Sequence, residues 1–361
     1  MTATDRGTLG RQLQMIRGLY WGYGSNGDPY PMTLCGRDDD PQLAYREMRE
    51  SGVRRSRTDT WVVADHATAR QVLDDPVFTR SAGRTPEWMR AAGAPPADWA
   101  EPFRGVHAAS WAGEIPDVAE LARRLPSVLP QTSGRLDLVR DFAWQVPWLG
   151  IVAGSCGVEA LQRDAWHARV SLDAQLSPQQ LAVTEEALSA LPTDPELSAL
   201  FAGAEMTANA IVNSILTTYA EPELAARLAD DAEIAPRIVA EVLRLNPTQH
   251  LERRTATADR YLGEVMISAG DEVAIVVAAA NRDPSVFTEP DRFDIDRADL
   301  NCALSPQRGH PGRLDELVST LTTTALQAMG KVIPRLSPSG PVIRRRRSPV
   351  LRAISYCPFE F

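Results

Sequence analysis

The sequence predicts a mainly α-helical protein carrying small β-sheets. Three observations lead there. Residues 196–220 (ELSALFAGAEMTANAIVNSILTTYA) hold one long helical pattern. The strand-like runs between 253 and 280 (RRTATA, VMISAG, DEVAIVVAAA) are short and separated by turns. No strand–helix–strand alternation recurs, which excludes a doubly wound parallel sheet.

Along the chain, residues 8–20 place Leu9, Leu13, Ile16 and Tyr20 at steps of four, three and four, one apolar face of a helix. The breaker-rich GYGSNGDPYP follows. Its Gly22-x-Gly24-x-x-Gly27 matches a dinucleotide-loop spacing, but no strand precedes it and Asp28-Pro29-Tyr30-Pro31 replaces the helix start, so it reads as a turn. A helix over about 41–51 ends at Gly52. Trp61-Val62-Val63 form a strand, and Asp65 is a suitable N-cap for a helix running to about Asp75. Residues 81–135 are irregular, with seven prolines, and 137–200 are helical with breaks near Pro147, Pro178 and Pro192. Helices at about 222–230 and 233–245, a last helix at about 313–330 and a strand-rich tail complete the reading.

The 361 residues are 44% hydrophobic and carry a net charge of −9. That charge argues against nucleic-acid and anionic-membrane partners, which need a basic face. No apolar run suggests a signal peptide or membrane span, and a soluble cytoplasmic protein is expected. Cys35, Cys156, Cys302 and Cys357 form no C-x-x-C pair and read as buried free thiols. The histidines (66, 107, 167, 250, 310) show no H-E-x-x-H or H-x-H spacing, so no metal site is expected; a serine-hydrolase elbow is absent too.

Glu241-Val242-Leu243-Arg244 is an E-x-x-R on a helix, whose carboxylate and guanidinium face one side. Followed by AAANRDPSVFTEPDRFDIDR, preceded by WVVADHATARQVLDDPVFTR and closed by RRRRSPVLRAISYCPFEF, it resembles the bacterial cytochromes P-450 over about 28–80 and 197–361. The resemblance implies a single cytochrome P-450-like domain over 1–361, with an N-terminal extension at 1–27 and a shortened, divergent region at 81–196. It implies that Glu241, Arg244 and Arg292 form a structural lock.

At the chemical positions the chain departs from that family. The thiolate signature F-G-x-G-x-H-x-C-x-G is replaced by CALSPQRGHPGRLDEL, and Cys302 lies eight residues before His310. The thiolate's electron donation is what favours O–O cleavage. Ala202-Gly203-Ala204-Glu205 fits the oxygen-binding kink, but Met206 stands where the proton-delivering threonine belongs and cannot donate a proton. Thr207 is turned away by about 100°. The H-x-x-x-R that pairs haem propionates has no counterpart near GVHAASWAGE. Arg254 matches a propionate-binding arginine and, without haem, reads as an ion-pair or surface arginine. No catalytic residue, haem or other cofactor is therefore expected.

A haem-lacking homologue of this kind resembles the auxiliary proteins of actinobacterial macrolide biosynthesis. These pair with a glycosyltransferase that attaches an amino-deoxysugar of the desosamine type. The resemblance implies a non-catalytic activating and stabilising subunit, in a complex with two copies of each chain. Candidate contacts are the 8–20 helix (Leu9, Leu13, Ile16, Tyr20) and Trp88, Trp99 and Trp111, since tryptophan is enriched in interface hot spots; a core role for the same residues is the other reading. Arg344–Arg347 reads as a solvated strand or hairpin. Two alternatives belong to other classes: an enzyme, either a haem protein using His310 or a haem-free catalyst, and a carrier holding macrolide or sugar in the emptied cavity.

Overall fold

The computed structural model describes residues 3–36, 40–81, 83–84, 111, 113–129, 134–151, 158–169 and 195–360. Helix α1 (Ala3–Ser25) extends the 8–20 pattern at both ends. It crosses α2 (Pro29–Leu34), which leads to α3 (Gln42–Glu50). Strands β1 (Arg54–Arg55) and β2 (Trp61–Val63), α4 (His66–Asp74) and β3 (Phe78–Thr79) follow. Asp65 caps α4 by accepting from Thr68 N at 2.9 Å, the role its side chain predicts.

Next come α5 (Val118–Arg124), β4 (Arg135–Asp137) and a π-helical turn at Leu138–Ala143. Helix α6 (Gln145–Ile151) contains Pro147, expected as a break. The proline sits in the first turn, where a missing N–H costs nothing. After α7 (Val158–Ala168), the 26-residue α8 (Pro195–Ala220) crosses the molecule; α9 (Pro222–Asp230) and α10 (Ala235–Leu245) pack beside it.

Strand β5 (Glu252–Ala256), the hairpin β6 (Arg260–Leu262)–β7 (Val265–Ile267) and β8 (Glu272–Ile275) come next. The VAAA that ends the expected last strand is instead a helical turn, α11 (Val277–Ala280). Helix α12 (Leu314–Met329) and strands β9 (Ser337–Pro338), β10 (Ile343–Arg344), β11 (Ile354–Tyr356) and β12 (Pro358–Glu360) close the chain.

Two apolar cores result. The larger joins α1–α3, α5, α6, α8–α10 and α12 to the tail. The smaller lies between α4 and the sheet β1-β2-β8-β5-β3, in which only β2–β8 is parallel. Strand β12 is central to β4-β12-β9, tying the tail to the middle of the chain. Among the described residues no helix is long and apolar enough to cross a membrane.

The glycine-rich GYGSNG is not a turn throughout. Gly22 and Gly24 lie inside α1, and only Gly27, at φ +87°, makes the bend. They are there for different reasons. A Cβ on Gly24 would stand 2.9 Å from Met32 Cβ, so this glycine sets the close crossing of α1 over α2; a Cβ on Gly22 meets nothing within 4 Å. Gly22→Ala is therefore expected to stabilise the protein by about 0.5–1 kcal/mol, whereas Gly24→Ala forces the helices apart and destabilises by about 1–3 kcal/mol. Urea melts of the two variants check the opposite signs.

Candidate functional site

Helix α10 presents Glu241 and Arg244 one turn apart, and its amphipathic pattern turns both inward. They form a two-pronged ion pair, Arg244 Nε to Glu241 Oε2 and Arg244 Nη2 to Glu241 Oε1, each at 2.8 Å, with both side chains fully buried. Arg244 also donates to the carbonyls of Asn281 (2.7 Å), Pro290 (2.8 Å) and Arg292 (3.2 Å). Its guanidinium carbon lies 5.1 Å from the Phe287 ring centre, a cation–π contact.

The third member of this lock is Arg297, not Arg292. Arg297 Nε donates to Glu241 Oε1 at 2.9 Å and Asp294 N donates to the same oxygen at 3.0 Å. Only 4% of the Arg297 side chain is exposed, against 62% of Arg292, which pairs with the exposed Glu289 at the surface. The reason is the backbone path. Glu289, at φ +46°, turns the segment so that the carbonyl of Arg292 faces inward while its side chain leaves. Arg297, five residues on, returns to the carboxylate and donates to the Arg292 carbonyl at 2.9 Å.

Asn281-Arg282-Asp283 braces the same region. Asn281 exchanges two hydrogen bonds with the Leu304 backbone (2.9 and 2.7 Å). Arg282 donates to the carbonyl of Leu245 at the end of α10, 3.1 Å, and Asp283 accepts from His66 N at the start of α4, 2.9 Å. Burial is the largest single effect and raises the Asp283 carboxyl, but the hydrogen bonds from His66 and Ser285, together with the nearby Arg49, outweigh it and hold the group below its usual range.

A haem, the cofactor of the family the sequence resembles, does not fit the residues present. Counting from His310, Gly312 stands at the thiolate position and Leu314 at the glycine that follows it. A haem held from the loop before α12 and reached from the kink on α8 would need room between these two helices. There the two helices touch: a Cβ on Gly203 would stand 3.1 Å from Leu314 Cδ1 and 3.7 Å from Leu317 Cδ2. Met206 is buried in the core. Cys302 is exposed on a short turn, and its carbonyl bonds His66 Nε2 at 2.8 Å; it is not the buried thiol the sequence suggested, whereas Cys35 and Cys357 are buried. Cys156 lies outside the described residues.

Glu205, the acid of the expected kink, is buried, bonded to Arg345 and 3.7 Å from Arg169. Arg345 thus points inward from a run expected to be solvated. Arg169 stacks 3.3 Å from the Trp166 ring centre. Arg254 is buried against Glu252 and is no surface arginine. His310 lies beside Arg80 and Arg254; burial first, then these two cations, push its imidazole down to about 4. His250, buried with Nδ1 3.1 Å from the Tyr45 hydroxyl, is also held well below the usual histidine range, by burial and then by Arg352, Arg344 and Arg282. Among the described residues no group of three His, Cys, Asp or Glu side chains could hold a metal.

Among the described residues, the partner contacts expected from sequence are internal. Leu13, Ile16 and Tyr20 are buried in the larger core, so the apolar stripe of α1 faces the protein's own interior. Trp111 is buried as well, its indole donating to the Glu114 carbonyl. Trp144, Trp148 and Trp166 cluster with ring centres 5.3 and 5.8 Å apart and fill the core near α8. The Leu9 side chain, Trp88 and Trp99 lie outside the described residues. What α1 turns outward is Met15 and Trp21, the latter 54% exposed.

Two measurements follow. Arg297→Ala leaves a buried carboxylate short of a partner and is expected to cost about 3–5 kcal/mol, while Arg292→Ala at the surface costs less than about 0.5 kcal/mol; paired denaturant melts discriminate them. His310 has a folded-state pKa below its unfolded value, so the unfolded chain binds the extra proton as pH falls. The His310 contribution to stability is therefore lost from about pH 6.5 down to about 4 and does not change further below that. His310→Gln is expected to melt with a shallower dependence over this window than the wild type.

The cytochrome P-450 family profile matches residues 228–301, the segment that contains the lock. Over its whole length the chain is 70% identical to the cytochrome P-450 family protein EryCII of Saccharopolyspora erythraea, covering all of both chains. It is 32% identical to protein AknT of Streptomyces galilaeus (96% of this chain, 94% of that one) and 30% identical to protein DesVIII of Streptomyces venezuelae (95% and 91%). Among solved structures, Mycobacterium smegmatis CYP164A2 superposes with a TM-score of 0.67 at 19% identity, covering 98% of this chain and all of that one. The haem domain of the Tepidiphilus thermophilus P-450 gives 0.67 at 22% identity, over 89% and 94%. With a fold, a lock segment and a full-length relative in common, the chain belongs to the cytochrome P-450 family.

Proposed function

We propose that this chain is a non-catalytic activating subunit of a glycosyltransferase that attaches a nucleotide-activated, desosamine-type amino-deoxysugar to a macrolide. The observation that carries the reading is a scaffold kept intact around positions where the family's chemistry has been replaced by packing. Glu241, Arg244 and Arg297 hold the fold, while Gly312 and Leu314 stand in the thiolate loop and Met206 in the oxygen kink. Full-length similarity to the cytochrome P-450 family protein EryCII supports the scaffold half of this reading. Function resides in the site rather than the fold, and what such a scaffold retains is surface.

The mechanism is a population shift. The activator binds the transferase's active conformation more tightly than its inactive one, and the transferase stabilises the activator's bound form by the same coupling. Moving a partner from 1:99 to 99:1 active requires about 10⁴-fold preference, about 5.5 kcal/mol. A few well-packed interface side chains supply that much. In the proposed assembly, two copies of each chain form a heterotetramer, and complex formation also protects a labile transferase by mass action.

The outward face of α1 is the place to begin mapping the contact, because its inward face is core and deleting the helix removes Leu13, Ile16 and Tyr20 from the interior. Sugar transfer by the purified transferase is expected to rise by at least about tenfold when this protein is added. Trp21→Glu is expected to abolish that gain with the melting temperature unchanged. No gain from the wild type, with a folded transferase, would overturn the activator reading. A gain retained by Trp21→Glu would move the contact away from α1.

A further inference from the structure

Two arginines beside the loop that leads into α12 pose an electrostatic problem. In the β3–β5 ladder Thr79 pairs with Thr255, so the next residue, Arg80, comes opposite Arg254. Like charges directly opposed destabilise a sheet. Both side chains are nearly fully buried, 5% and 3% exposed, where solvent cannot screen them.

Glu252 resolves the conflict. It lies two residues before Arg254 and therefore on the same face of β5. Its side chain is fully buried, and Oε1 sits 2.7 Å from Arg80 Nε and 2.9 Å from Arg254 Nε. The remaining donors hold the loop. Arg80 Nη2 and Arg254 Nη2 both donate to the Pro306 carbonyl, at 3.0 and 3.3 Å. Arg80 Nη1 donates to Gln307 Oε1 at 3.2 Å, and Arg254 Nη2 also donates to the Arg308 carbonyl at 3.3 Å.

We propose that Glu252 is an internal counter-anion, seated where a carboxylate-bearing cofactor would otherwise supply the negative charge between Arg80 and Arg254. A buried guanidinium pair needs an anion. A fold that takes that anion from a ligand is incomplete without it; this chain takes it from its own β5 strand. The arginine pair and the 305–310 loop therefore form with no cofactor bound. Removing Glu252 converts the cluster into a binding site for a small carboxylate, with Arg80 and Arg254 as its ligands.

The test compares thermal melts of the wild type, Glu252→Ala and the double variant Glu252→Ala/Arg254→Ala in sodium propionate and in sodium chloride of equal ionic strength. Glu252→Ala is expected to melt at least about 5 °C below the wild type in chloride and to recover at least half of that loss in propionate. The wild type and the double variant are expected to respond to the two salts alike. Should Glu252→Ala not fold in chloride, refolding it and the volume-conserving Glu252→Gln from urea in each salt gives the same comparison. Native circular dichroism recovered only in propionate supports the proposal, and equal failure in both salts overturns it. A propionate-specific rise in the wild-type melting temperature would show the seat to be open and would overturn it as well. The readout is the chain's own stability, so the result stands apart from the sugar-transfer assay.

Discussion

The carboxylate of Glu241 has no contact with water, and most of the C-terminal half is arranged around that fact. An isolated buried charge is untenable. Glu241 is satisfied by two guanidiniums and one backbone amide, from Arg244, Arg297 and Asp294. Arg244 in turn supplies donors to carbonyls of the irregular segment between 281 and 292, which lacks the regular hydrogen bonding of helix or sheet. A hydrophobic pair could fill the same volume at equal or greater stability, but it could not donate to three carbonyls. The ion pair is thus a template for an irregular backbone. From that backbone Asn281 reaches the Leu304 loop, Arg282 the end of α10 and Asp283 the start of α4.

A common pattern links three positions that match the family's chemical residues. Each is partnered from within the chain. Glu205 is taken by Arg345, Arg254 by Glu252, and the face of α8 at Gly203 by Leu314 and Leu317. At these positions charge is matched with charge and apolar surface with apolar surface. The tryptophan cluster around Trp144 adds packed volume to the same core.

How much of this was legible in the sequence depended on the range of the interaction. Periodicity and caps act over one or two turns, so α4 with its Asp65 cap, the ends of α3 and the long α8 could be read directly. The Glu241–Arg244 pair lies within one turn of helix and was equally readable. Arg292 and Arg297 could not be told apart, because the choice rests on the left-handed turn at Glu289 rather than on spacing. The stripe on α1 and Trp111 were ambiguous because an apolar face looks alike whether it meets the protein's own core or another's. Glu252 gave no signal at all: its meaning comes from the ladder that sets Arg80 opposite Arg254 from 174 residues away.

The pairing of β4 with β12 has a consequence for the order in which the protein is made. Arg135 lies opposite Glu360, and the Leu138 amide donates to the Cys357 carbonyl. Emerging from a ribosome at about 5–20 residues per second, the chain would need on the order of 10–40 seconds after β4 to present its partner. Through that interval β4 is an unpaired edge and Glu205 awaits Arg345. Such edges invite pairing with other chains. The nascent protein is therefore most exposed to aggregation in its middle third, and a chaperone that shields that stretch until translation ends would raise the yield of folded protein.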